Sequence, residues 1–459
     1  MEKITEEIQI TQEQKRQRRR TLFALSFGYF IDQGEGQAMS VLFPTLQSIW
    51  GLSYGNLGVI STIRNLLQSI SSPFWGYVSD KFSRKTIILL GTGIWGLWTA
   101  AVGLTQNFGQ LLTIRAISGI GLGCLLPATF SIMSDTFPPK DRGKALGLME
   151  ATGVFGIIIA TIGLGFLATP ELWRWGYFLL GGFSVISGVL VWFLVEEPIR
   201  GEAEPELAGK ITEKDAKKFG LQFSDLPKVL TIPTIWVAIG QGLAGSMPWV
   251  VMGAFLITWL VNERNIPAEN ATLVFAGIVI GTVFSNIIGG YLGDWAEQKS
   301  PKYGRTIIGQ ISIISGIPLT YILFTQTADW SLTGIIALSF GTALLISWPG
   351  KGAKEPMMQG VVPPELRGTA FSMTTFIESG FAAIAGVIAG TLADRIGLSE
   401  ALIWTVPFPW IICAALFSLF YLTYPKDAQK LRAQMAERAR IIEQNHASGE
   451  GFVEDTVID

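Results

Sequence analysis

Apolar residues fall in runs too long for the helices of a water-soluble core, and polar residues collect between those runs. Crossing a bilayer takes about 20 predominantly apolar residues. Runs of that kind are read at 21–46, 55–77, 86–105, 109–134, 145–168, 174–195, 234–260, 270–293, 304–325, 332–356, 369–392 and 401–423, twelve spans in all. The pattern predicts an all-α membrane protein. The cluster Lys15-Arg16-Gln17-Arg18-Arg19-Arg20 leads into the first span with no small-residue cleavage site behind it, so that span is expected to be a retained helix rather than a secretory signal.

Basic residues orient the spans. Placing the N-terminus, the tail and the loops after even-numbered spans on one side puts 27 of the 34 Lys and Arg there, against Arg174, Arg264 and Arg395 on the other. By the positive-inside rule both termini are expected in the cytoplasm of a multi-pass protein of the cell (inner) membrane.

Composition narrows the reading mostly by exclusion. The chain is 459 residues long, 49% hydrophobic and only 15% charged, with a mean hydropathy of +0.41; a soluble domain carries about 25% charged residues. A net charge of −2 leaves no basic excess for nucleic acid. The two cysteines, Cys124 and Cys413, sit in apolar runs, which argues against a disulfide framework or a Cys-rich metal site. The single histidine, His446, lies outside the spans, so no histidine proton relay or Ser-His triad is expected in the membrane. The glycines at 91–96 and 119–123 fall inside spans and read as packing surfaces, not phosphate loops. No cofactor, metal or enzymatic activity is expected.

The chain reads as a duplication. A polar stretch divides the spans into two sets of six, predicting a basic N-terminus (1–20), a first six-helix bundle (21–197), a cytoplasmic linker (198–231), a second bundle (232–424) and a cytoplasmic tail (425–459) with an amphipathic helix over 426–445. Two loop motifs recur across the divide. Gly76-Tyr77-Val78-Ser79-Asp80, with Arg84 and Lys85 following, returns as Gly290-Tyr291-Leu292-Gly293-Asp294, with Arg305 further on. Pro138-Pro139-Lys140-Asp141-Arg142-Gly143 returns as Pro363-Pro364-Glu365-Leu366-Arg367-Gly368.

Twelve spans in two halves, with Gly76-x-x-x-Asp80-x-x-x-Arg84-Lys85 between the second and third, resemble the major facilitator superfamily over nearly the whole chain. Arg115-x-x-x-Gly119-x-Gly121 in span 4 is similar to that family's R-x-x-x-G-x-G pattern, whereas Ser83 replaces the usual glycine of the loop motif. The proline-bearing span-5 signature of drug antiporters is absent at Gly153-Val154-Phe155-Gly156. Phe43-Pro44-Thr45-Leu46 and Trp173-Arg174-Trp175 with Glu196-Glu197-Pro198 are similar to the spinster-like branch, whose proposed substrates are lysolipids; Gln33 and the 121–124 run depart from its acidic and basic positions. The resemblance implies two pseudo-symmetric bundles, alternating access, and a cavity lined by spans 1, 4, 7 and 10.

The loop motifs are expected to latch the outward-open shape. Gly76 and Gly290 permit close helix approach, and Asp80 is placed to face the positive N-terminal end of span 11. Arg84 is placed to bridge Asp80 and Asp135, Asp294 and Arg305 repeat the arrangement, and Arg142 and Arg367 mark the second motif. The other reading is of solvated charges that merely set topology.

Ionisable residues within spans are costly and tend to line a wet path. Asp32 and Glu35 are three apart and share a helix face. At about 1.5 Å per residue, Glu35 lies roughly 21 Å along span 1 and Arg64 about 24 Å from Asp80 along span 2. That similar depth predicts an Arg64 pair with Glu35 or Asp32, and makes Asp32 and Glu35 the candidate proton-coupling site; a purely structural ion pair is the competing reading. Span 10 carries Trp348-Pro349-Gly350-Lys351 and Lys354, where Pro-Gly loosens the helix. Lys351 and Lys354 suit an anionic or zwitterionic group, or else snorkel to the headgroups. Glu378 is placed to neutralise one of them. Arg64, Trp348, Lys351, Lys354, Glu378, Gln241 and Arg115 are thus the candidate substrate-binding residues, with Arg115 in the outer third of span 4 and Trp249 read as packing.

The expectation is a monomeric secondary active transporter, by symport or antiport, for an organic anion, zwitterion or amphipathic solute such as a lysolipid, coupled to protons. A facilitated-diffusion uniporter and a drug or metabolite efflux antiporter of the same fold are the alternatives.

Overall fold

The computed structural model describes residues 12–198, 229–363 and 366–448. Most of the predicted linker, the first 11 residues and the end of the tail lie outside the described residues. The helices, in chain order and matching the predicted spans, are α1 (Gln12–Glu35, resuming as Ala38–Trp50), α2 (Tyr54–Lys81), α3 (Arg84–Val102), α4 (Phe108–Thr136), α5 (Pro139–Phe166) and α6 (Trp173–Leu194). The second half comprises α7 (Pro233–Asn262), α8 (Ala268–Lys299), α9 (Gly304–Thr325), α10 (Leu332–Gln359), α11 (Arg367–Ile396) and α12 (Leu398–Phe417), followed by the tail helix α13 (Phe420–Ser448).

Among the described residues no strand occurs, and ten helices, α3 to α12, are long and apolar enough to cross a membrane. The two that miss that measure, α1 and α2, hold Asp32, Glu35 and Arg64. Span 1 is not one helix as expected: it breaks at Gly36-Gln37. Irregular backbone at membrane depth survives only where it lines a cavity or is buried in protein.

Local chemistry shapes α10 as well. Pro349 has no N–H, so the carbonyl of Leu345 loses its helical donor. The Ser312 hydroxyl of α9 donates to that carbonyl instead, and the helix widens to π winding over Pro349–Lys354. The loosening expected from Pro-Gly is therefore a defined bulge with its orphaned carbonyl satisfied.

The two halves meet at the end opposite the basic loop motifs. The carboxylate of Asp394 in α11 accepts hydrogen bonds from the backbone N–H groups of Tyr54 (2.8 Å) and Gly55 (2.9 Å) at the start of α2, where the helix dipole favours negative charge. Thr62 donates to the Ala383 carbonyl at 2.6 Å, and Asn262 of α7 donates to Gln47 of α1 at 2.7 Å. Backbone touches backbone between α2 and α11: a Cβ on Gly58 would lie 2.2 Å from the Gly386 oxygen. At the basic end, by contrast, a Cβ on Gly76 or Gly290 would meet nothing within 4 Å, so the close approach expected there is not made in this conformation. Among the described residues the halves join at the far end, while Gly76 and Gly290 at the basic end stand open.

This geometry makes Gly58→Val a wedge. Overpacking costs about 1–3 kcal/mol, and here it falls only on the conformation with the far end closed. The variant is expected to raise thiol-reagent labelling of a cysteine placed at Asn262 by about tenfold. Unchanged labelling would mean that the Gly58–Gly386 contact does not hold that end shut.

Candidate functional site

The break in α1 places Asp32 and Glu35 beside two arginines. Glu35 is 3% exposed; one carboxylate oxygen accepts from Nη2 of Arg64 at 2.9 Å and the other from Nη1 of Arg115. The R-x-x-x-G-x-G pattern now has a physical meaning. Arg115, 1% exposed, reaches Glu35. Gly119, one turn on, lets α4 lie against α2, since a Cβ there would sit 2.6 Å from the Arg64 carbonyl oxygen. Gly121 makes room for the indole of Trp95, which donates to the Ile117 carbonyl at 3.0 Å.

Two guanidinium groups thus face one paired carboxylate, and a second carboxyl stands next to them. Oδ1 of Asp32 is buried without a hydrogen-bond partner. Unpaired charge in such a place is expensive, so Asp32 must find a cation, a proton or a ligand. Arg115 bonds Glu35 through Nη1, and its Nε, like that of Arg64, has no partner. Arg64 uses Nη1 on Asn65 (3.2 Å) and Nη2 on Glu35, keeps a partnerless Nε, and is the more accessible of the two arginines.

Asp32, Arg64 and Arg115 line a cavity of about 290 Å³ between the halves. Its first wall carries Asp32, Gln33, Gly36, Gln37 and Ser40 from α1 and Ser61, Arg64, Asn65 and Gln68 from α2. Both sets recur at three- and four-residue steps, a polar stripe down one face of each helix. The stripe was available in the sequence and marks Gln37, Ser40, Ser61, Asn65 and Gln68, which the search for charges passed over. The opposite wall is Trp249, Val250, Gly253 and Ala254 of α7, with Ile157 of α5 at the side.

Comparison with known proteins fits this architecture. Residues 25–379 match the family model described as Major Facilitator Superfamily. The chain belongs to the major facilitator superfamily. It is 24% identical over 84% of its length to the Probable 4-methylmuconolactone transporter of Cupriavidus pinatubonensis, covering 86% of that protein. It is 26% identical over 89% of its length to the Cis,cis-muconate transport protein of Acinetobacter baylyi, covering 95% of it. Among solved structures, a bacterial homolog to the human lysosomal transporter Spinster, in an inward-facing and unoccupied conformation, shares the fold with a TM-score of 0.78 at 20% identity, covering 90% of this chain and 98% of that one. The protein is a multi-pass membrane transporter of this superfamily.

The superfamily's loop motifs make the pairs expected within each half, Arg84 with Asp135 and Arg305 with Asp294. Arg84, 1% exposed, bonds Asp135, the Ser131 hydroxyl (2.9 Å), Glu197 (3.3 Å) and the Pro198 carbonyl (2.7 Å), all within the first half. Arg305 bonds Asp294 (2.5 Å), Glu297 (2.8 Å) and the Gly352 carbonyl (2.9 Å), all within the second. In this conformation these are struts within each bundle; the latch across the gap is expected of the outward-open shape. Arg142 donates to the carbonyls of Ser134 and Phe137, and Arg367 to that of Gln359, so each caps the end of the preceding helix in its own half. The side chain of Asp80 lies outside the described residues. Ser83, the departure from the family motif, both caps α3 through Thr86 N–H (3.2 Å) and bonds Glu197.

Burial alone would raise the Glu197 carboxyl, but the Ser83 hydroxyl and the Arg84 backbone and side chain outweigh it and hold the group below the usual carboxylate range. A depressed folded-state pKa means its stabilisation is fully present above the unfolded value of about 4.3 and is lost as pH falls through the folded value. Glu197→Gln is expected to cost about 1–2 kcal/mol at pH 7 and to flatten the acid limb of a thermal-stability profile. A profile identical to the unsubstituted protein's would contradict the strut.

Other candidates fall away from the cavity. Lys351, with its side chain 57% exposed, pairs with Glu355 at 2.9 Å, because the π winding turns it outward. Trp348 packs on Gly289, whose missing Cβ would lie 2.9 Å from the Trp348 Cβ. Gln241 is turned into the second bundle, donating to Cys413 Sγ at 3.1 Å. Lys354 and Glu378 form a half-buried pair at 2.5 Å between α10 and α11, which leaves Lys354 neutralised and away from the residues around Arg64. Trp249, read as packing, lines the cavity instead.

Proposed function

We propose that this transporter moves a small organic anion together with a proton. The observation that carries the reading is the charge balance at one point: two arginines, one carboxylate held between them, and Asp32 alongside with an unpartnered oxygen. With Asp32 ionised, the empty site is neutral. A substrate carboxylate arriving at Arg64 would add an uncompensated negative charge, which a low-dielectric site resists. A proton on Asp32 removes it. Anion and proton therefore favour each other's binding, one proton for each carboxylate, and either alone is disfavoured during the crossing.

Three further points support this. Relatives named for muconate and methylmuconolactone handle small acids. A cavity of about 290 Å³ suits such a molecule better than a lysolipid. The basic end is the cytoplasmic end by the positive-inside rule, so a molecule parted there is open to the cytoplasm; the neighbour titled as inward-facing has the same fold. A uniporter has no use for Asp32, and a drug antiporter for organic cations has no use for the excess guanidinium.

The test is uptake into proteoliposomes across an imposed pH gradient. Small carboxylates are expected to accumulate on the alkaline side, and Arg64→Gln to lower saturable uptake by at least about tenfold. Uptake indifferent to the gradient would exclude proton coupling, and uptake indifferent to Arg64 would exclude it as the anion receptor.

A further inference from the structure

Resting on that reading, we infer that α7 selects which acids are carried: a carboxylate borne on a flat, hydroxyl-poor body, aromatic or conjugated, in preference to a polyhydroxylated sugar acid. The cavity is two-faced. Its α1–α2 wall presents amides, hydroxyls and the Arg64 guanidinium, while its α7 wall presents Trp249, Val250 and Ala254.

Trp249 and Gly253 are four residues apart and share one helix face. The Trp249 indole is held by an edge contact with Trp410, ring centroids 5.8 Å apart at 67°, so it offers a fixed surface. Beside it Gly253 leaves a space: a Cβ there would meet nothing within 4 Å. The Gly253 carbonyl accepts the Ser40 hydroxyl at 2.5 Å. A planar group fits between a rigid ring and a missing side chain. A ring or chain with hydroxyls all round would turn part of them to the largely apolar α7 wall, away from the amides and hydroxyls opposite.

The consequence is a specificity in which the carboxylate is read by the first half and the body by the second. Each hydroxyl desolvated without a partner costs about tenfold in affinity, so a hydroxyl on several carbons is excluded even though its carboxylate suits Arg64.

The experiment compares benzoate with D-gluconate as competitors and as driven substrates in the proteoliposome assay, in the full chain and in two variants, Trp249→Ala and Gly253→Val. Benzoate is expected to be effective at a concentration at least tenfold below gluconate. Trp249→Ala removes the platform and Gly253→Val fills the space, so each is expected to cost benzoate about tenfold. Two variants acting at opposite sides of the space guard against one failing to fold, and correct insertion is checked by size-exclusion profile. If gluconate is carried with a proton as well as benzoate is, the slot is wrong while the symport reading stands. If benzoate is preferred but both variants keep that preference, the slot is likewise wrong. If neither these acids nor other small carboxylates move protons, the symport reading fails and takes the slot with it.

Discussion

Replacing Glu35 with glutamine is expected to destabilise the folded protein by about 3–5 kcal/mol and to abolish transport, because it takes the one carboxylate that bonds both guanidinium groups and leaves two buried cations with Asp32 alone beside them. The loss belongs to the uncompensated charges rather than to the pair's own worth. Removing Arg115 as well, in Glu35→Gln/Arg115→Met, is therefore expected to recover much of the stability while leaving transport impaired, a non-additivity typical of groups in direct contact. Thermal unfolding in detergent, followed by tryptophan fluorescence, reads the first part. A Glu35→Gln protein as stable as the original would mean that the cluster is hydrated and its charges screened.

On the symport reading, Asp32→Asn is expected to separate driven accumulation from exchange. Asparagine imitates the protonated acid, so the site stays receptive to the anion. Its empty form then carries an unbalanced positive charge, and returning a charge through the membrane centre costs about 2.5–3.5 kcal/mol. Net accumulation driven by a pH gradient should fall by about a hundredfold, while exchange of internal for external substrate, which never requires the empty return, should persist within a few-fold. Loss of both to the same degree would make Asp32 a structural residue. Retention of both would leave proton coupling without a carrier.

How far the sequence carries can be judged from particular residues. The all-helical membrane fold and the superfamily were legible because they depend on run length, on the Pro-Pro and Gly-x-x-x-Asp motifs and on their recurrence, none of which requires knowing how a helix is rotated. Depth arithmetic pointed Arg64 to Glu35 or Asp32, and the structure pairs it with Glu35. Rotation was the missing quantity. Trp249 has the same hydropathy facing lipid, core or cavity, and only the packing of α7 against Ser40 and Trp410 decides among them. Lys351 and Lys354 are three apart, which promised a common face, but the π bulge at Pro349–Lys354 sends one outward and the other to Glu378. Arg84 and Arg305 were assigned Asp135 and Asp294 by their motif and make those pairs; the further partners Glu197 and Glu297 depend on how the helices turn. The signals that did exist for the first wall, the polar stripes 32-33-36-37-40 and 61-64-65-68, were periodic rather than charged.

These features combine into a simple scheme. Each half is stiffened by an arginine hub at its basic end, so it moves as a body. Asp394 across the start of α2 and the Gly58–Gly386 contact shut the far end. On the proposed symport reading, the small polar cavity between the halves changes its exposure only when its charge is balanced, which ties the movement to what the cavity holds.

Counting protons against anions tests that scheme most directly. Proteoliposomes loaded with a pH-sensitive dye, held at zero membrane potential and given a monocarboxylate such as benzoate, should report one proton entering for each anion, and none above background with Asp32→Asn. Anion uptake unaccompanied by protons, or a proton signal untouched by Asp32→Asn, would contradict it.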